Sequence, residues 1–157
     1  METQDKTQGW DIGRKVGVVA VVFGVFLAAV VVLADAGLLP SWIKQVWTWP
    51  MGDKVAHFTL LGAMAMLVSL WLRGAGWRLG PIKVFKGEVA VGLVVLAEEV
   101  SQRWVPHRTF SLGDLAADFL GIACFGVVAR LLARRWWPEA RQEAKEGPGV
   151  QGDPQAK

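Results

Sequence analysis

The sequence predicts an all-α membrane protein, a bundle of four transmembrane helices with the N- and C-termini both on the cytoplasmic side. Three observations predict it. The 157-residue chain is 53% hydrophobic with positive mean hydropathy. Its apolar residues fall in long runs without the alternation of a half-buried strand or the stripe of a soluble helix. Its basic residues and tryptophans gather beside those runs.

The first predicted span runs from Val16 to Ala34, roughly 19 residues without a charge. At about 1.5 Å per residue that length crosses a hydrocarbon core of about 30 Å. A secretory signal is the rival reading, because Arg14 and Lys15 precede the run and Ala34-Asp35-Ala36 mimics a small-x-small cleavage site. The run is longer than the usual apolar region of such signals, which favours a span. Between the first and second spans, Leu38 to Pro50 carries two prolines and three tryptophans and predicts a short amphipathic segment in the outer interface.

The second span is predicted over Val55 to Leu72 and the fourth over Leu115 to Leu132. The third is shorter in apolar content. Val89 to Ala97 cannot cross alone and becomes a span only if the helix extends from Val84 to Gln102, which places Glu98 and Glu99 inside it. Residues 1–15 then form a cytoplasmic N-terminus, 16–137 the transmembrane domain, and 138–157, polar with Gly and Pro, a disordered cytoplasmic tail.

Direction follows from the basic residues. Thirteen of the 17 Lys and Arg fall in the N-terminus, the loop between spans two and three, and the end of span four. Lys44, Lys54, Arg103 and Arg108 are left for the other side. The positive-inside rule makes the first group cytoplasmic, and the expected location is the inner membrane. The nine tryptophans agree: Trp42, Trp47, Trp49 and Trp104 flank the outer face, and Trp10, Trp71, Trp77, Trp136 and Trp137 the inner. Interfacial anchoring explains them, with a sugar-stacking platform from Trp42, Trp47 or Trp49 as the alternative. A net charge of +3 without a single basic stripe excludes nucleic acid as the expected partner. The lone Cys124 excludes an intrachain disulfide and a cysteine metal cluster, and reads as a small packing residue.

The chemistry-bearing residues converge on the outer face from three separate stretches. Asp53, Lys54 and His57 open span two, Glu98, Glu99, Gln102 and Arg103 close span three, and Arg108, Ser111, Asp114 and Asp118 lead into span four. Pairs at i, i+4 share a helix face: Asp53 with His57, Glu98 with Gln102, Glu99 with Arg103, Asp114 with Asp118. With helix entry at Lys86, Glu98 lies about 18 Å along the axis, below the outer surface. A charged carboxylate there costs about 2.5–3.5 kcal/mol, so these groups are expected to face the bundle and be paired. Ser111-Leu-Gly-Asp114 has the spacing of a capping box ahead of span four, and Gly121 clears bulk beside Asp118 for a close helix approach.

At these residues the chain resembles the VanZ-like family. The family's Asp-Lys with a following His appears as Asp53-Lys54-Val-Ala-His57. Its second signature, an acidic pair, then Gln, Pro, Arg and Ser-x-x-Asp before a small-residue helix, appears as Glu98-Glu99, Gln102, Pro106, Arg108, Ser111, Asp114, Asp118 and Gly121. The likeness covers Gly52 to Leu132. Asp118 stands where the family commonly has Asn, adding a carboxylate. The resemblance implies a small multi-spanning protein of the cell envelope and, through the family's namesake, low-level resistance to the glycopeptide teicoplanin.

Three functions are open. The first is binding or remodelling of a charged amphiphile, such as a lipid-linked cell-wall precursor or a lipoglycopeptide. It would use Asp53, Lys54, His57, Glu98, Gln102, Arg108, Ser111, Asp114 and Asp118, with Lys54, Arg103 and Arg108 suited to phosphate. The second is an intramembrane enzyme with His57, Glu98, Glu99 or Asp118 as acid and base, although no familiar catalytic motif names a reaction. The third is a structural lock, the cluster holding the helices of an assembly factor. No cofactor is expected. A metal site from His57, Asp53, Asp114 and Asp118 would have too few nitrogen ligands.

Overall fold

A computed structural model describes residues 2–41, 43, 45, 49, 51–80, 82–104 and 111–137, with the backbone alone for 2–10. The predicted tail over 138–157, Arg108, Lys44, Trp42, Trp47 and nearly half of the expected interfacial segment lie outside the described residues.

The protein is helical with one small hairpin: α1 (Glu2–Asp35), α2 (Gly52–Trp71), β1 (Gly76–Leu79), β2 (Ile82–Phe85), α3 (Lys86–Ser101), a 3₁₀ turn (Gln102–Trp104) and α4 (Leu112–Trp136). Among the described residues, three helices are long and apolar enough to cross a membrane: Asp11–Asp35 within α1, α2 and α4. Their outward surfaces are rich in Val, Leu and Phe, as lipid contact requires; Val22, Val25, Val55, Leu120 and Leu131 are all exposed.

The third predicted span needs correction. Val84 belongs to β2, Gln102 opens the 3₁₀ turn, and the helix between them has 16 residues. At about 1.5 Å per residue that is about 24 Å, short of the hydrocarbon thickness. The hairpin is the cause: once Ile82 to Phe85 pair with β1, the helix cannot begin before Lys86. Gly80 turns the chain with φ 62°, a conformation that suits glycine.

Close packing rests on small residues. Gly13, Gly17, Ala20 and Gly24 lie along one face of α1, and the Trp71 indole covers Gly17 while Met64 meets Gly24. This small-residue face is how α1 packs on α2, in the absence of a hydrophobic drive between helices in lipid. The α2–α4 crossing is tighter. A side chain at Gly121 would collide with the Phe58 carbonyl, and one at Gly62 with Phe125 and the Gly121 backbone. Gly121 therefore sits at the helix contact, with Asp118 one turn earlier.

Two apolar clusters fill the interior. Ala65, Val91, Val95 and Ile122 join α2, α3 and α4 at mid-depth. Leu70, Phe85, Ala129 and Ala133 close the end that carries the hairpin. Cys124, expected to pack inside, lies on the exposed face of α4. The tryptophans whose side chains are described lie at or beyond a helix end: Trp49 and Trp104 at one end of the bundle, Trp71, Trp77, Trp136 and Trp137 at the other. That placement fits interfacial anchoring.

Candidate functional site

The polar site is built where the N-termini of α2 and α4 meet the C-terminus of α3. Ser111 caps α4, its Oγ accepting from the Asp114 amide at 3.2 Å. The Ser111 amide in turn donates to Glu99 Oε1 at 2.6 Å, so a carboxylate from α3 clamps the first residue before α4. That position is favourable for negative charge, because the unpaired amides of a helix start point there. Glu99 is 1% exposed, and its other oxygen has no hydrogen-bond partner among the described residues.

Two contacts tie α2 to α4. The Lys54 ammonium donates to Asp114 Oδ1 at 2.9 Å and to Asp53 Oδ2 at 3.2 Å. One turn deeper, His57 Nδ1 meets the Asp118 carboxylate at 3.0 and 3.2 Å, with Asp118 2% exposed. Asp114 and Asp118 thus share a face toward α2. With Nδ1 donating to Asp118, Nε2 is the ring nitrogen left for another group. On α3, Gln102 Nε2 donates to both oxygens of Glu98 at 2.9 Å, the predicted i, i+4 contact.

The structure therefore brings together Asp53, Lys54, His57, Glu99, Ser111, Asp114 and Asp118, with Glu98 and Gln102 as an adjoining pair. Two expected pairings are replaced. Asp53 contacts its neighbour Lys54 rather than His57, and Glu99 engages Ser111 rather than the exposed Arg103. Only for Glu99 does a partner from another element replace the local one; the Asp53 carboxylate stays with the adjacent Lys54. Lys54, expected to hold phosphate, already has two carboxylates on it. Among the described residues, no group of three His, Cys, Asp or Glu is arranged to hold a metal.

Sequence reasoning missed the space beside this cluster. A groove of about 610 Å³ runs between α1, α2 and α3. Its floor and walls are apolar, including Leu27, Val31, Leu60, Met64, Val91 and Val94, while His57, Glu98 and Asp118 line it at one end. It exists because α1 packs on α2 and leaves α3 largely uncovered on that side. Only the three-dimensional path of α1 reveals it.

A second polar contact, also unforeseen, lies at the opposite end. Glu88 Oε1 accepts from Arg130 Nη1 at 2.6 Å, and Glu88 Oε2 accepts from the Phe85 amide at 2.9 Å. Gly126 makes room for the carboxylate, since a Cβ there would strike it. The Arg130 guanidinium also lies 5.6 Å from the Phe85 ring centre. Forty-two residues separate Glu88 from Arg130, so no local spacing announces the pair.

Comparison with protein-family models, with curated proteins and with solved structures finds no match to this chain. The functional reading accordingly rests on the residues and their geometry.

Proposed function

We propose that this membrane protein binds an amphiphile, with the apolar chain in the groove between α1, α2 and α3 and the headgroup against His57, Glu98 and Asp118. The observation that carries this reading is the groove's polarity: apolar along its length, polar at one end, like the ligand it would hold. Its polar end consists of a histidine and two carboxyl groups. It therefore suits a headgroup that donates hydrogen bonds, an amine or a sugar hydroxyl, better than a phosphate. Lipid-linked precursors and lipoglycopeptides both carry such donors, in keeping with the VanZ-like resemblance and a role at the cell envelope.

In this reading α3 is a fourth crossing. It runs beside α2 from Ser69, which contacts Gly87, to the Glu99–Ser111 clamp, covering most of the same depth. Basic residues at the hairpin end make that end cytoplasmic, which sets the groove's polar end at the outer leaflet of the inner membrane.

Filling the groove is the direct test. Val94→Trp places an indole where the chain would lie, whereas Leu93→Trp points into bulk lipid from the next position of α3. Native mass spectrometry of protein extracted from membranes is expected to show one retained amphiphile in the parent and in Leu93→Trp, and at least about ten-fold less in Val94→Trp, a loss of about 1.4 kcal/mol. Equal retention in all three removes the groove reading.

One observation favours a second reading, intramembrane acid–base chemistry on the bound amphiphile. His57 held by Asp118 has the arrangement of a base fixed by an orienting carboxylate. His57→Gln should then leave amphiphile retention intact while abolishing any headgroup modification seen by mass. An unmodified amphiphile in both proteins leaves binding as the function.

A further inference from the structure

The hairpin carries a second lipid contact, independent of the groove. In its register Trp77 lies opposite Val84 and Leu79 opposite Ile82, while Gly76 pairs with Phe85 and Arg78 with Lys83. Opposed residues share a face and successive residues alternate. One face is therefore entirely apolar: Trp77, Leu79, Ile82 and Val84. The other carries the cations and turns Phe85 into the cluster with Leu70, Ala129 and Ala133.

Among the described residues, most of the apolar face is open, with Val84 half-buried. Trp77 is 52%, Leu79 66% and Ile82 59% exposed. Such a face in water would be a liability. A two-stranded pair also cannot enter hydrocarbon, because each strand keeps an unpaired edge of amides and carbonyls. Only the headgroup boundary satisfies both constraints, with the apolar face down and the edges wet.

Charge specifies the lipid. Arg78, Lys83 and Lys86 belong to the hairpin or the residue after it, with the Lys86 ammonium 5.4 Å from the Trp77 ring centre. Arg134 and Arg135 end α4 at the same end of the bundle. We infer that the β1–β2 hairpin lies flat on the leaflet at its end of the bundle, inserts Trp77, Leu79 and Ile82 at the acyl boundary, and recruits anionic phospholipid headgroups through Arg78, Lys83 and Lys86.

The test uses the full chain with Cys124→Ala and Leu79→Cys, which leaves one thiol for an environment-sensitive fluorophore. It is reconstituted in phosphatidylcholine vesicles with or without phosphatidylglycerol. The fluorophore is expected to be quenched by lipid spin-labelled near the headgroup and shielded from aqueous iodide. Quenching by iodide instead places the hairpin in water and overturns the inference. Shielding from both quenchers means that a protein surface, another chain or a second copy, covers the face, and overturns it equally. Spin-labelled phosphatidylglycerol should quench more strongly than spin-labelled phosphatidylcholine. Each cation near an anionic surface is worth about five-fold, so Arg78→Gln, Lys83→Gln and Lys86→Gln together should reduce that preference at least about ten-fold. A preference unchanged in the triple variant overturns the anionic assignment.

Discussion

Gly121→Val is expected to destabilise the solubilised bundle by roughly 3 kcal/mol or more, at the upper end of overpacking effects. The reason is the partner. Most overpacked side chains press on other side chains, which can change rotamer, but a Cβ at Gly121 meets the Phe58 carbonyl and its backbone carbon. Relief requires α2 and α4 to move apart. That movement would stretch Lys54–Asp114 and His57–Asp118, the two contacts that cross the same helix pair. Thermal dispersity measured by fluorescence-detected size exclusion should show Gly121→Val losing its monodisperse peak at a much lower temperature, with Gly121→Ala between. Full stability in the valine variant would mean that the helices do not cross there.

Glu88→Ala has the second large effect. It removes the carboxylate that accepts from both Arg130 and the Phe85 amide, so a guanidinium and a buried backbone donor lose their partner together. Breaking a buried pair from one side costs about 3–5 kcal/mol. The Arg130 side chain is 23% exposed, which lowers the expectation to about 3 kcal/mol. Glu88→Gln keeps an acceptor for the Phe85 amide and should lose about half as much. Adding Arg130→Met to Glu88→Ala should restore part of the loss, because the stranded charge is gone. A double variant no more stable than Glu88→Ala would assign the effect to the Phe85 amide alone. The experiment reads hairpin anchorage, since Phe85 ends β2 and Glu88 sits in the first turn of α3.

These two sites show what the sequence makes legible. Apolar runs located α2, α4 and the end of α1 to within a few residues, because a lipid environment demands uniform hydrophobicity and leaves a plain signal; α1 itself begins at Glu2, well before the predicted start at Val16. Ser111 was readable as a cap and Gly121 as a close approach, since both depend on local chemistry. The hairpin was legible in principle: Gly80-Pro81 separates two short stretches that alternate apolar and basic residues. Its brevity beside long apolar runs let the helix assignment extend to Val84. Glu88–Arg130 and the groove were not legible. Both are set by how distant segments pack, and neither leaves a periodic mark. The polar cluster was found as a set, but its pairings were decided by the α2–α4 crossing, where Lys54 reaches Asp114 and His57 reaches Asp118.

The groove with its polar end is the claim on which the functional account stands, and photocrosslinking in native membranes tests it most directly. A benzophenone amino acid at position 94 faces the groove, and the same group at position 93 faces surrounding lipid. The account predicts one dominant amphiphile adduct at 94, lost when His57 and Glu98 are replaced by alanine, against a mixture matching bulk phospholipid at 93. The same bulk mixture from both positions, unchanged by those replacements, would contradict it.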